Sequence, residues 1–185
     1  MKKTLKVITL ALICTTTYAQ HEHHQAAEST ETKAKPKSPH TNAMAMVGDN
    51  HVHVDYGSPS VRGRQIWNGL VAYDQVWSTG AHKATWIDFS QDVTINGKLV
   101  PKGKYGFFTI PGAKEWTLIL SSDWDMHLAD DYTAEHDIIR LKVKPMIQTD
   151  LTESLTYKVV PEGKNKGIVR MSWEKLSVSL PFQNK

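Results

Sequence analysis

Cysteine is almost absent: Cys14 is the only one among 185 residues. No intrachain disulfide can form, and no pair of thiolates can share a metal. Long apolar runs are also scarce. The best of them, from Val7 to about Cys14, is too short to cross a bilayer. There is no Gly-rich phosphate loop, no G-x-S-x-G and no H-E-x-x-H. Runs of lysine and arginine are missing too. The formal charge of +3 comes from the first residues alone, as shown next, so nucleic acid is a poor partner for this chain.

The start, MKKTLKVITLALICTTTYAQ, pairs a basic beginning (Lys2, Lys3, Lys6) with a short apolar stretch and small residues at Thr17 and Ala19. That order predicts a secretory signal peptide, residues 1–19, cleaved after Ala19. Lipidation at Cys14 is the lesser alternative, because Ile13 stands where a lipid-attachment site takes a small residue. Cleavage removes three lysines and the only cysteine, which leaves Lys and Arg level with the 19 acidic residues. The expected location is therefore exported, periplasmic or extracellular, for a protein held together by its core alone.

Residues 20–43 show no apolar periodicity and are rich in His, Glu, Thr, Lys, Ala and Pro. This composition predicts a disordered tether. Residues 44–185 remain as one domain. There the pattern alternates with period two: His51–Tyr56, Ala84–Phe89, Lys104–Ile110, Trp116–Leu120, Ile138–Val143, Leu155–Val159, Ile168–Trp173 and Leu176–Leu180. Asn96-Gly97 between two short β-branched runs predicts a type I′ hairpin turn. Two stretches, Gln65–Tyr73 and Trp124–Tyr132, are candidate helices. The fold class is all-β, a single sandwich or jelly-roll-like domain of antiparallel strands.

The stretches SPSVRGR (58–64), IWNGLVAYDQVW (66–77), TGAHKAT (79–85), DVTINGK (92–98), KGKYGFFTIPGAKEW (102–116) and DIIRLKVKP (137–145) together resemble the domain-of-unknown-function family 2911. The resemblance covers roughly residues 45–182. It implies an exported bacterial all-β domain and carries no activity with it. Many members of that family resemble Arg-Thr-Gly-Ala-Asn where this chain has Ser78-Thr-Gly-Ala-His82. Others share the histidine, together with a Trp-x-x-His-Leu-Ala-Asp segment similar to Trp124–Asp130.

Histidine supplies the candidate chemistry. His51 and His53 form an H-x-H pair whose rings share one strand face, close enough for one ion. The competing reading has Val52, Val54 and Tyr56 facing the core and both rings facing water. His82 follows Gly80-Ala81 in a turn, and His127 lies between Asp125 and Asp130-Asp131. A carboxylate beside a histidine can orient its ring or join it as a ligand. Convergence of His51, His53, His82 and His127, with Asp131 or Asp130 as a further ligand, would suit a Zn or Cu ion. For each residue alone, a solvated surface histidine is the simpler account. His136, between Glu135 and Asp137, reads as surface. His21-Glu-His-His24 would scavenge metal weakly. Arg62 and Arg64 could hold a phosphate or carboxylate, or pair with Asp55 or Asp88. Six tryptophans offer core or a stacking platform. Met44 and Met46 form a faint thioether pair.

These features predict a small exported binding domain with a histidine-built transition-metal site, taking a metal ion or small molecule as partner. One alternative is a metal-dependent hydrolase or oxidase with an open coordination position. Another is a carbohydrate- or apolar-ligand-binding module built on the tryptophans.

Overall fold

Alternation of apolar and polar residues turns into two facing sheets. The computed structural model describes residues 37–185, so the expected signal peptide, residues 1–19, and residues 20–36 lie outside the described residues. The strands are β1 (His40–Val47), β2 (Asn50–Gly57), β3 (Trp86–Phe89), β4 (Val93–Ile95), β5 (Lys98–Val100), β6 (Gly103–Ile110), β7 (Trp116–Ser121), β8 (Asp137–Val143), β9 (Met146–Pro161) and β10 (Lys166–Asn184). A six-stranded sheet has the order β1-β2-β3-β6-β7-β8, and a four-stranded sheet the order β5-β4-β10-β9. Every pairing within them is antiparallel. The chain is an all-β sandwich.

Period two decides which side chains are inside. Val52, Val54 and Tyr56 of β2, Ile87 and Phe89 of β3, and Val169, Met171 and Trp173 of β10 all join one buried cluster. Each fully buried aliphatic or aromatic side chain of this kind contributes roughly 1.5–3 kcal/mol. Intervening residues such as His51, His53 and Asp55 are half-buried on the outer face. The β4–β5 turn has Asn96 at φ 49° and Gly97 at φ 78°, the two positive values a type I′ turn requires.

Three local expectations change. β1 begins at His40, four residues inside the stretch read as tether. Its side chains, His-Thr-Asn-Ala, give no apolar signal because an edge strand is recruited by its backbone, which pairs along the whole of β2. The candidate helices at Gln65–Tyr73 and Trp124–Tyr132 are turns. Asn68 at φ 54° and Leu128 at φ 51° reverse the backbone where a helix would need negative φ. Among the described residues the only helical element is a 3₁₀ turn, Ala134–His136. Finally, the two strands read as Ile168–Trp173 and Leu176–Leu180 are one strand, β10. It runs through a double irregularity around Glu174, where φ is 55°. A bulge conceals continuity because it breaks the period of two.

Candidate functional site

The long connection from β2 to β3, residues 58–85, builds most of a concave feature near the end of β2. Its first part is stitched to the middle of β9. The Ser58 hydroxyl donates to the Leu155 carbonyl at 2.7 Å, the Val61 amide to Glu153 O at 2.7 Å and the Leu155 amide to Pro59 O at 2.9 Å. The next part closes on itself, with the Val71 amide donating to Ile66 O and the Asn68 amide to Val71 O, both at 2.9 Å. Trp77 then exchanges backbone bonds with Thr109 at the end of β6, at 2.8 and 3.0 Å.

Ser78-Thr-Gly-Ala-His82 follows as a turn packed directly on β2, buried from Ser78 to Gly80 and emerging to an exposed His82. A Cβ on Gly57 would sit 2.2 Å from the Ala81 carbonyl oxygen, and one on Gly80 would sit 2.5 Å from the Thr85 hydroxyl. Only glycine allows approaches this close. The Thr79 carbonyl accepts from the Thr85 hydroxyl at 3.0 Å and from the Tyr157 phenol at 2.8 Å. Tyr157 is fully enclosed. Burial pushes its pKa well above the ordinary tyrosine value, with the nearby Tyr56 adding to the rise and a hydrogen bond from Thr85 opposing it.

Against this turn lies a cavity of about 330 Å³. Its apolar walls include Leu70, Val71, Trp77, Leu128 and Trp173, and its polar lining includes Arg64 and His82. Trp77 and Trp173 stack at 5.8 Å with an interplanar angle of 23°, and Trp67 meets both edge-on. The Trp173 ring is 1% exposed, yet its indole Nε1–H has no hydrogen-bond partner among the described residues. The Arg64 guanidinium donates from Nε to Val61 O at 3.1 Å and from Nη2 to Ser60 O at 2.6 Å. These carbonyls fix its direction without cancelling its charge. Neither Arg64 nor Arg62 meets Asp55 or Asp88. Asp55 pairs instead with His40, Nε2 to Oδ1 at 2.7 Å. Arg62 donates to Lys37 O at 3.0 Å.

The predicted metal ligands fall into two pairs. His51 and His53 sit on the outer face of β2 with ring centroids 6.2 Å apart. His82 and His127 come together at the other location, through a β-bridge between Lys83 and His127 and a bond from the Leu128 amide to His82 O at 2.8 Å. Ala81 abuts Gly57, which lies roughly 13 Å along β2 from His53 at the usual rise per residue. His127 holds Asp130, Nδ1 to Oδ2 at 2.8 Å. Asp131 is exposed and forms no ion pair among the described residues. Among these residues no three His, Cys, Asp or Glu side chains are grouped to hold a metal ion. His136 is a surface residue, paired with Asp123 at 3.5 Å.

Sequence reasoning singled out His82, Arg64 and the tryptophans separately and did not join them. The available signal was the motif stretches themselves. Pro59 and Arg64, then Leu70, Val71 and Trp77, then Gly80 to His82, and Leu128 come from four different motif segments, and all of them line the cavity.

No curated protein and no protein of solved structure matches this chain. Residues 38–182 match the family described as Protein of unknown function (DUF2911), a span that takes in all of β1 and every loop around the cavity. The chain belongs to that family.

Proposed function

We propose that this is an exported binding domain whose cavity takes a small organic acid with an apolar body. One observation carries the reading. An uncancelled guanidinium, Arg64, lines a mostly apolar cavity whose wall includes Trp77 and Trp173. A carboxylate can accept from the guanidinium, and its apolar remainder would lie along Trp77, Leu70 and Leu128. The volume falls at the small end of ligand sites, about 300–1,000 Å³. Export rests on the basic, apolar and small-residue order of residues 1–19.

Intrinsic tryptophan fluorescence tests this, because Trp77, part of the cavity wall and only half-buried, would be covered. The probes are straight-chain and aryl-substituted monocarboxylates, with the matching alcohols and amides as controls. Acids should bind and their neutral counterparts should bind more weakly. Arg64→Gln should reduce acid affinity by about 10- to 100-fold, since a hydrogen bond to a charged group is worth about 1.5–3 kcal/mol. Equal binding of acid and amide, or an unchanged affinity in Arg64→Gln, defeats the proposal.

A further inference from the structure

We infer that the outer face of the β1–β2 hairpin is a Cu(I) site built from Met44, Met46, His51 and His53. This site is separate from the cavity and rests on different residues. The register puts Met44 directly opposite His53 and Met46 directly opposite His51. Residues opposite each other in an antiparallel pair share a face, with Cβ atoms about 4.5–5.5 Å apart. Residues two apart on one strand share that face as well. Four donors therefore stand at the corners of one small quadrilateral. The two imidazole centroids are 6.2 Å apart, so one ion above the hairpin is within reach of both rings and both thioethers.

The side chains are in the state such a site needs. Met44 is 54% exposed and Met46 is 53% exposed. A single exposed methionine is ordinary. Two on an edge strand, each facing an imidazole, are not accounted for by packing. Neither imidazole makes a side-chain hydrogen bond among the described residues, and His53 Nε2 is a buried nitrogen without any partner. A buried unpaired ring nitrogen is costly unless something completes it. His40, the histidine of β1, is already engaged by Asp55. Trp86 meets the His53 ring edge-on at 5.0 Å. Lys104 packs over Trp86 at 3.9 Å and over Trp124 at 4.2 Å, which fixes the indole that fences the site.

The donor set chooses the ion. Zn²⁺ takes nitrogen, thiolate and carboxylate ligands, and among the described residues no three His, Cys, Asp or Glu side chains are grouped. Two thioethers with two neutral imidazoles instead form a soft set that favours Cu(I).

The test is titration of the protein with Cu(I), under nitrogen and with ascorbate, against the chromogenic chelator bicinchoninate. His21, His23 and His24 are first replaced by alanine so that the terminal tail does not compete. One equivalent of Cu(I) should be withheld from the chelator. The double variant Met44→Leu with Met46→Leu, and separately His53→Asn, should weaken retention by roughly 100-fold, because even outer-shell losses at metal sites cost 10- to 100-fold. All four side chains lie on the outer face, and circular dichroism confirms that each variant is folded. Arg64→Gln should retain copper fully, which separates this site from the cavity. X-ray absorption of the copper complex should show sulfur as well as nitrogen neighbours. Absence of Cu(I) retention, insensitivity to the methionine variants, or an absorption spectrum without sulfur would each overturn the assignment.

Discussion

Gly57→Ala probes how tightly the cavity-forming turn is clamped. Gly57 does not occupy the left-handed region, so an added methyl group costs nothing in backbone conformation. Its cost is contact alone. The new Cβ would meet Ala81 O at 2.2 Å, Ala81 C at 2.9 Å and Ala81 N at 3.2 Å. A comfortable carbon–oxygen approach is about 3.3–3.6 Å, so β2 and the turn must separate by roughly 1 Å. All three obstacles are backbone atoms, so no side chain can swing away. Overpacking of this kind costs about 1–3 kcal/mol. Movement of the turn also strains the bonds that Thr79 O accepts from Thr85 and Tyr157, each worth about 1 kcal/mol. The expected loss is about 2–4 kcal/mol. With a urea m-value of about 2 kcal/mol/M, the midpoint should fall by about 1–2 M at unchanged slope. Gly63→Ala is the contrasting control. Gly63 is at φ 67° with nothing within 4 Å of its would-be Cβ, so only the left-handed penalty of about 1–2 kcal/mol applies. Acid binding should weaken in Gly57→Ala and persist in Gly63→Ala. A Gly57→Ala midpoint within experimental error of the parent would refute the claim that this contact clamps the turn.

Two further outcomes are expected. Burial raises the pKa of Tyr157, and it also raises those of Tyr105 and Tyr132 to a lesser degree. The stabilisation from each is complete below the unfolded value of about 10 and is lost as pH rises through the folded value. Stability should therefore be flat from neutral pH to about 9 and then fall, each tyrosine contributing at most about 1.4 kcal/mol per pH unit. Tyr157→Phe should flatten that fall in urea midpoints measured against pH, and an unchanged slope would show that Tyr157 does not drive it. Cleavage after Ala19 would make Gln20 the first residue of the exported protein, which intact mass reads directly. A lipid-bearing Cys14 in that spectrum would place the protein on a membrane instead.

The sandwich was legible because its strands obey one period. Val52, Val54 and Tyr56 alternate with His51, His53 and Asp55, and the structure buries the first set and half-exposes the second. Asn96-Gly97 was legible for a stereochemical reason, since few dipeptides accept two positive φ values. β1 was not legible because its partner recognises main-chain groups rather than side chains. The β10 bulge at Glu174 hid one long strand behind two apparent ones. The cavity was beyond reach for another reason. Its wall joins Arg64, Trp77, His82, Leu128 and Trp173, which are scattered over the chain, and no local pattern records which loops fold back together. The H-x-H pair was read correctly as sharing a face, but its opposite neighbours, Met44 and Met46, depend on a register that only the structure supplies.

Backbone strain gives the cavity loops a meaning that packing does not. Thr79, His82 and Leu128 all hold positive φ, at 54°, 69° and 51°. Such values are uncommon outside glycine, and a β-branched residue such as threonine tolerates them least. Each costs about 1–3 kcal/mol and persists only where the surroundings insist on it. For Thr79 those surroundings are visible. Its hydroxyl donates to Trp77 O at 3.1 Å and reaches the Thr109 hydroxyl at 3.2 Å, while its carbonyl takes two further bonds. A fold that needed only to turn the chain would place glycine or asparagine here. His82 makes the same point differently. Histidine and asparagine are both among the residues enriched at positive φ, so the turn can exchange one for the other without redrawing the backbone. The exchange alters only the group presented to the cavity. The strained turn thus acts as a fixed mount, and under the proposed function the side chain at position 82 is set by the acid the cavity would hold.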